Sequence, residues 1–562
     1  MKLPSVSRTF RHIRRYHQIL SVLLKYGFTD IVDIARQDLI VRFGEKFMPR
    51  LKTRAAEGLS RGERLTKAIE ELGPTFIKMG QIFSLRPDLI PVEIAYELQK
   101  LQDKVTPIPF SEIEKVIREE LKINPAEVFR EIDPEPIAAA SIAQVHRAVL
   151  KSGEQVVLKV QRPNARAIID VDIEILTDFA GILSKYLQEK VAQDPVLIVR
   201  EFDQSIHREL DFFKEGRNID RFRRCFKDEP TIFIPKFYGD FSSERLLVMD
   251  FVGGIKASDT ESLDKAGLDR KEIARRGTNL SLRQIFDFGF FHADPHPGNI
   301  VVLENNVIGL LDYGMVGQID DDTIDGIGDI LVGVFNKEPK RILRAFTRLK
   351  ITDSKTDKSA LLFDVEALVE TYLGIPLKDL RFSAVLSEFI EIIQKHRLWI
   401  PPHLSLALKA IVTAEGLAQT LYPEFDFIAE LKPYIHKILM RRYNFLRKAR
   451  EGVLFLDDFS GFVEEFPDKM RTIMNNAADG KFTIRFEHRN LEQVVREFSR
   501  AANRLSSALI IAALFLGSSF LIQVSTGPKI FGYPMFGTIG YVLAGILGIN
   551  LTVNIIRSRK NK

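Results

Sequence analysis

The stretch Phe291-His292-Ala293-Asp294-Pro295-His296-Pro297-Gly298-Asn299, followed after an apolar run by Leu311-Asp312-Tyr313-Gly314, decides how this chain is read. Three oxygen-bearing side chains, Asp294, Asn299 and Asp312, fall in one short window bounded by strands. An amide oxygen and a carboxylate suit Mg²⁺ bridging nucleotide phosphates, while a separate carboxylate can accept a hydroxyl proton or orient a nucleophile. Asp294 is therefore the candidate base, and Asn299 and Asp312 are the candidate metal ligands.

An Asp followed five residues later by Asn, then a strand, then Asp-aromatic-Gly, is the spacing of a protein-kinase catalytic loop and its metal site. In that register His292 is a scaffold of the loop and His296 stands where a phosphate-facing lysine is usual. A zinc pair is the poorer reading, because no third ligand accompanies the two histidines.

Working outward toward the N-terminus, Val156-Val157-Leu158-Lys159 alternates so that Lys159 leaves the strand opposite Val156 and Leu158, as a strand lysine that holds phosphates does. It needs an acidic partner. A helix beginning near Pro195 offers Glu201, Glu209, Asp211 and Glu215, of which Glu215 is the choice. Before it, Pro136 to Val149 reads as strand, small-residue turn and strand, and Gln155 to Val160 returns. The turn is Ala138-Ala139-Ala140-Ser141, where a phosphate loop is usually rich in glycine; alanine still allows close approach but restricts the backbone. Phe233 to Phe241 and Arg245 to Gly254 read as two further strands. The second contains a hinge, where backbone groups between Met249 and Val252 would meet adenine. A helix from about Lys271 to Phe290 delivers the opening stretch.

The composition agrees with a large globular body. There are 562 residues, 45% hydrophobic and 28% charged, with a formal net charge of +5. So small a charge, without nucleic-acid motifs, argues against a nucleic-acid partner. One cysteine, Cys225, excludes an internal disulfide and carries no assigned role. Arg8 to about Arg50 mixes basic and apolar residues at helical spacing, which suits either a helix on an anionic membrane surface or one packed on a neighbour. Asp320 to about Arg450 is helical by pattern, broken at Pro339, Gly374-Ile375-Pro376 and Pro401-Pro402; no Ala-Pro-Glu motif closes an activation segment. Charged helix-forming stretches between Asp468 and Asn503 flank Lys481 to Phe486. Leu505 to Gln523 and Phe536 to Ile556 are uncharged runs of about 20 residues, each sufficient for a bilayer core. Arg500, Arg504, Arg557, Arg559 and Lys560 outside them put both ends in the cytoplasm. Gly540, Ala544 and Gly548 share one face of the second run, where another helix could approach.

Taken together, these motifs resemble the UbiB family of atypical kinases, also called ABC1 or ADCK. The residues that carry the resemblance are Lys78-Met79-Gly80-Gln81, the alanine loop, Glu209-Leu210-Asp211, and His292-Ala293-Asp294-Pro295 with Asn299. Tyr313 replaces the usual phenylalanine. The resemblance implies an α+β, protein-kinase-like two-lobed fold with an N-terminal helical extension and a C-terminal transmembrane helical hairpin. The corresponding divisions are 1–106, 107–254 and 255–450, a charged linker 451–504, and spans in 505–562. It implies ATP and Mg²⁺ as cofactors, and a cover over the cleft formed by Lys78 and Gln81, with Lys78 held by Glu209 or Asp211. Such a cover occupies the groove where a peptide substrate binds. The expected partners are a lipid bilayer and prenyl-quinone intermediates or quinone-biosynthesis proteins, with a dimer as one option. The expected location is a bacterial inner membrane, multi-pass, with the catalytic body cytoplasmic. The leading reading is a MgATP-using kinase or ATPase in ubiquinone biosynthesis; the alternatives are a protein or small-molecule kinase, and a nucleotide-switched pseudokinase scaffold.

Overall fold

The computed structural model describes residues 6–30, 32–33, 58–84, 86, 89–101, 105–186, 194–372, 381–442, 491–523, 528–530 and 533–560. In chain order the strands of the body are β1 (Phe129–Ala139), β2 (Ala143–Leu150), β3 (Gln155–Gln161), β4 (Ile232–Phe233), β5 (Leu246–Asp250), β6 (Ile255–Lys256), β7 (Phe290–His292), β8 (Ile300–Leu303), β9 (Val307–Leu310) and β10 (Val316–Gln318). Strands β1, β2, β3 and β5 form one antiparallel sheet in that order. A second sheet has the order β4-β9-β8-β6, and β7 pairs with β10.

The helices of the body are α1 (Val6–Lys25), α2 (Arg61–Leu72), α3 (Pro74–Ser84), α4 (Val92–Leu98), α5 (Phe110–Leu121), α6 (Pro125–Val128), α7 (Ala165–Tyr186), α8 (Pro195–Glu209), α9 (Phe212–Cys225), α10 (Thr260–Lys265), α11 (Arg270–Phe286), α12 (Asp321–Phe335), α13 (Pro339–Arg348), α14 (Lys358–Thr371), α15 (Phe382–Lys395), α16 (Pro402–Leu421) and α17 (Phe427–Arg442). The first sheet is buried on both faces. Val156, Leu158, Val160 and Val248 pack on Ile113, Val116 and Ile117 of α5, while Val157, Leu247 and Met249 join a core with Phe202, Phe212 and Ile219. Period-2 alternation puts those residues on opposite faces, and helices cover each.

Helix α1 lays Tyr16, Ile19, Leu20 and Val22 against Ile69, Leu72, Ile175 and Phe179. Its Arg15 guanidinium donates to both Asp172 oxygens, at 2.7 and 2.9 Å, and to the Leu72 carbonyl at 2.8 Å. The apolar face of residues 13–25 is thus covered by protein, which selects packing on a neighbour for this part; residues 34–57 lie outside the described residues.

Two readings shorten, one of a strand and one of a helix. Only Ile232–Phe233 of the Phe233 to Phe241 run and its approach is strand, because Pro235 removes an amide and Gly239–Phe241 turns as a 3-10 helix. Helix α11 stops at Phe286, since Gly289 adopts φ 59 and its backbone meets Ile319, where an added Cβ would lie 2.6 Å from the Ile319 carbonyl oxygen.

Helices α12 to α17 surround a second apolar core that includes Phe346, Val365, Phe389, Ile393 and Ile411. Phe346 and Phe389 meet edge to face, 4.9 Å between centroids, and burying each such ring is worth about 2–3 kcal/mol. Helix α16 serves both cores. Its first half places Leu404, Ala407 and Ile411 among the helices, and its last turns place Leu417 and Leu421 under β8 and β9. This continuity fixes the middle of α16 beside the catalytic loop.

Residues 450–562 form a separate unit. In it α18 (Leu491–Gln523) and α19 (Met535–Lys560) pack as a hairpin. A Cβ on Gly540 would lie 2.1 Å from Ser518 Oγ, and Ala544 is buried, so small residues allow the contact at these positions. A Cβ placed on Gly548 would meet no described residue within 4 Å beyond its own helix backbone and chain neighbours. Leu509, Phe515, Phe520, Val542 and Ile546 point outward, exposed. Leu505–Gln523 is long and apolar enough to cross a membrane; the apolar run Met535–Leu551 is shorter. A single candidate span among the described residues therefore replaces two equal ones.

Candidate nucleotide site

Lys159 stands on β3 between Val145 of β2 and Leu247 of β5, held in register by both neighbours. Its ammonium reaches Glu215 Oε1 and Oε2, each at 2.8 Å, and Asp312 Oδ1 at 3.3 Å. Glu215 is not on the helix that begins at Pro195. That helix ends at Glu209, and Asp211 restarts the chain by accepting the Lys214 amide at 3.2 Å, so that Glu215 falls in the first turn of α9. Gly216 lets α9 lie flush on the strand segment, since a Cβ there would come within 2.1 Å of the Phe237 ring. Burial pushes the Glu215 carboxyl up to about 7, against the pull of Lys159. Burial would lower Lys159, but the Asp312 and Glu215 charges outweigh it and raise its pKa. Asp312 goes the other way: burial opposes its ionisation, yet Lys159 and the Gly314 amide, at 2.9 Å, hold it well below the usual carboxylate range.

The loop after β7 is pinned from several sides. The His292 amide donates to Gln284 Oε1 at 2.9 Å, and His292 Nδ1 accepts the Asp294 amide at 3.1 Å. Burial lowers the His292 pKa, so the ring is neutral and scaffolds the turn. Asn299 Nδ2 donates to the Asp294 carbonyl at 3.2 Å, which leaves its amide oxygen for a ligand. The Asp294 carboxylate accepts Lys409 Nζ at 2.6 Å. Burial opposes its ionisation, but that ammonium prevails and lowers its pKa. Tyr313 is fully buried between Phe222 and His292, its hydroxyl donates to the Leu310 carbonyl at 3.3 Å, and its own carbonyl accepts Asn218 at 3.0 Å. The extra oxygen relative to phenylalanine is therefore satisfied.

Around this centre the alanine loop closes β1 onto β2. The Ala140 amide donates to Ala143 at 2.8 Å, and Arg162 ties the Ala140 and Thr106 carbonyls at 2.9 and 3.0 Å. Ala138 is exposed and Ala139 half-buried. Ser141 is buried, and its hydroxyl has no partner among the described residues. At the hinge, the sheet pairs Met249 with Val157, while no hydrogen bond among the described residues engages the Val252 amide. The free amide of the hinge is therefore that of Val252, while the Met249 backbone is paired within the sheet.

The cover residues separate as well. Lys78 reaches Glu209 Oε1 at 2.6 Å. Asp211 instead caps α9 and pairs with Lys214 at 3.0 Å. Gln81 donates to the Leu101 carbonyl at 3.4 Å, tying α3 to the following segment. Gly80 makes that contact possible, because a Cβ there would lie 2.4 Å from Leu101 Cδ1. Glu201 pairs with Arg86 at 3.0 Å, away from Lys159. A Cβ on Gly314 would lie 3.2 Å from Asp312 Oδ1, 3.6 Å from Glu215 Oε2 and 3.9 Å from Glu209 Cγ, so both glutamates converge on one glycine.

The residues present fit a magnesium nucleotide: an amide oxygen and an ionised carboxylate for the metal, a strand ammonium for phosphates, and an orphaned serine hydroxyl on the adjoining loop. Residues 100–346 match the ABC1 atypical kinase-like domain, residues 365–426 the UbiB helical domain, and residues 489–557 the ABC1/UbiB kinase-like C-terminal domain. The chain is 34% identical to a probable protein kinase UbiB of Marinobacter nauticus, over 68% of its own length and 71% of that protein. It is 36% identical to the probable protein kinase UbiB of Pseudomonas aeruginosa, over 76% and 82% of the two chains. A Clostridium pasteurianum relative, named an uncharacterized protein in the hydrogenase 1 5' region, is 31% identical over 97% of this chain and 99% of that one. This chain belongs to the ABC1/UbiB kinase-like family.

In this ABC1/UbiB protein the structure brings Lys159, Glu215 and Asp312 into one cluster, with Asp294 and Asn299 on the neighbouring loop. Three side chains that shape the site were not found by reading motifs. Arg162 anchors the alanine loop, Asn218 holds Tyr313, and Lys409 meets Asp294 from 115 residues downstream. No local spacing points to any of them. The one usable signal for Lys409 is its position as a lone cation among the apolar and small residues of α16.

Proposed function

We propose that this ABC1/UbiB protein binds MgATP between its sheet and its helical lobe and acts as a membrane-anchored atypical kinase or ATPase supporting prenyl-quinone biosynthesis, ubiquinone being the expected product. The observation that carries the nucleotide reading is the Lys159, Glu215 and Asp312 cluster, one cation shared between a buried carboxyl and a half-exposed one beside an amide ligand. A bound Mg²⁺ would supply charge neutralisation at the phosphates. The chain's own residues then divide the work. Asn299 and Asp312 hold the metal, Lys159 and the Ala138 to Ser141 turn hold phosphates, and the Val252 amide holds the base. Asp294, ionised and anchored by its loop, orients the attacking hydroxyl or water.

The Lys78 to Glu209 ion pair favours a small acceptor or water over a peptide, since it fastens α3 over the cleft. The probable protein kinase UbiB name of the relatives supports the quinone assignment. Anchoring is proposed through Leu505–Gln523 and, as a second crossing, through α19, giving a multi-pass protein with its body on the cytoplasmic face of an inner membrane. Prenyl-quinone intermediates or quinone-biosynthesis proteins are the partners.

The test is phosphate release from MgATP by the full chain in vesicles, compared with Asp294→Asn and Lys159→Ala. Loss in both variants supports the site; equal release in all three overturns it. Radiolabel appearing on a product with lipid withheld would favour a kinase over an ATPase. For the pathway, cells lacking the gene and cells carrying only Asp312→Asn should both lose the quinone and accumulate its precursors. Normal quinone in both would remove the assignment.

A further inference from the structure

The catalytic loop lacks a lysine after its aspartate. At that place stands His296, whose Nδ1 accepts the Gly298 amide at 3.1 Å and caps the short turn leading to Asn299. An exposed ring committed to its own turn is a poor ligand for a phosphate. The positive charge comes instead from the helical lobe. Lys409, in the middle of α16, places its ammonium 2.6 Å from Asp294 Oδ1, and this is the only hydrogen bond to that carboxylate among the described residues.

The two lysines of the cleft differ in what they have left to give. Lys159 directs its ammonium at three acceptor oxygens, Glu215 Oε1, Glu215 Oε2 and Asp312 Oδ1. A lysine has three N–H donors, so a phosphate held by Lys159 shares a donor with Glu215 or Asp312. Among the described residues Lys409 has one partner, Asp294, and therefore two donors free. It is also placed correctly along the loop: Asp294 takes Lys409 on its carboxylate and the metal-binding amide of Asn299 on its carbonyl, so ammonium and metal ligand flank a single residue. Its side chain is 22% exposed, open enough to meet a ligand without leaving Asp294. Helix α16 cannot drift, because Ala407, Ala410 and Ile411 around Lys409 are buried in the helical core.

We propose that Lys409 is the ligand of the terminal phosphate of the bound nucleotide, a phosphate-binding lysine supplied by the helical lobe where the catalytic loop has a histidine. This rests on the nucleotide reading above. It also gives the helical lobe a stake in the chemistry: α16 completes the site, and only a nucleotide long enough to reach past the metal senses it.

The experiment measures equilibrium binding of MgADP and of a non-hydrolysable MgATP analogue to the full chain in detergent. Wild type should bind the triphosphate more tightly. Lys409→Gln should weaken the triphosphate about tenfold or more, the size of a charge-assisted hydrogen bond, and leave MgADP within about twofold. Unchanged MgADP binding shows that the variant is folded. Lys409→Arg, which keeps the charge, should recover part of the preference. Asp294→Asn should keep it, since the ammonium is then free for phosphate. Equal weakening of both nucleotides in Lys409→Gln, no weakening of either, or loss of the preference in Asp294→Asn would each overturn the proposal, the last by showing that only the ion pair matters. If wild type binds neither nucleotide, the nucleotide reading itself fails; if it binds both and Lys409→Gln matches it, only the role of Lys409 fails.

Discussion

Two lysines at the candidate site, Lys159 and Lys78, are each held by a glutamate, and the two glutamates lie six residues apart. Lys159 meets Glu215 on a strand locked between two others, with the carboxylate 3% exposed. Lys78 meets Glu209 from a helix of the N-terminal extension, with both side chains somewhat open, at 11% and 16%. The chemistry is the same and the support is not. The break between α8 and α9 lets both acids face Gly314, so one site is held by an inner pair that belongs to the sheet and an outer pair that belongs to the cover. An ion pair inside a sheet defines geometry, and one on a covering helix defines access.

The difference is sharpest when each lysine is removed. Lys159→Ala leaves Glu215 buried without its counter-ion, which should cost about 3–5 kcal/mol in urea unfolding and abolish nucleotide binding. Adding Glu215→Gln should restore most of the stability and none of the binding. A double variant as unstable as the single one would mean that the pair is not the source of the loss. The outer pair can be attacked through packing. Gly80→Ala puts a methyl 2.4 Å from Leu101 Cδ1 and 3.3 Å from Ile69 Cδ1, so α3 should be displaced at a cost of about 1–3 kcal/mol. Lys78→Ala should cost less, about 1 kcal/mol, because Glu209, at 16% exposed, keeps more water than Glu215 at 3%. In both variants amide exchange should quicken in Pro74–Ser84 and stay slow in α9. Equal acceleration in the two helices would make the cover part of the core.

Reading the chain without coordinates captured what is written in short-range spacing and missed what depends on long-range return. The catalytic loop, the Asp312 hairpin and the Lys159 strand each sit within a few residues of their own signals, so their local form was legible. The partner of Lys159 could be narrowed to four acids, but the helix break that selects Glu215 lies in the capping geometry of Asp211, which a helical pattern does not show. Gln81 carries the family motif yet bonds a backbone carbonyl 20 residues on. Met249 looked like a hinge donor because its sheet partner, Val157, is remote in sequence. Lys409 was invisible for the same reason, since nothing near it in the chain resembles a phosphate site. The second membrane run shows the opposite limit: composition gave Phe536 to Ile556 a full crossing, whereas the apolar helix among the described residues ends at Leu551.

The comparison can be sharpened once more at the helix that carries Glu209. His207 precedes it by two residues, and its ring reaches Asp170 of α7 at 2.9 Å and Asp203 of its own helix at 2.7 Å. Burial lowers its pKa, but the two carboxylates outweigh that and raise it above the ordinary histidine value. A group with a raised folded pKa adds stability below its unfolded pKa, about 6.5, and loses that contribution as the pH climbs through the folded value. Thermal stability should therefore decline slightly between about pH 6 and pH 8, by less than about 1 kcal/mol, since the ring is partly exposed. His207→Gln should remove that slope. Because α8 positions Glu209 and not Glu215, the same pH change should loosen the cover, read as faster exchange in Pro74–Ser84, while MgADP affinity through Lys159 is unmoved. A parallel loss of nucleotide affinity that His207→Gln abolishes would show that the two pairs are one mechanical unit.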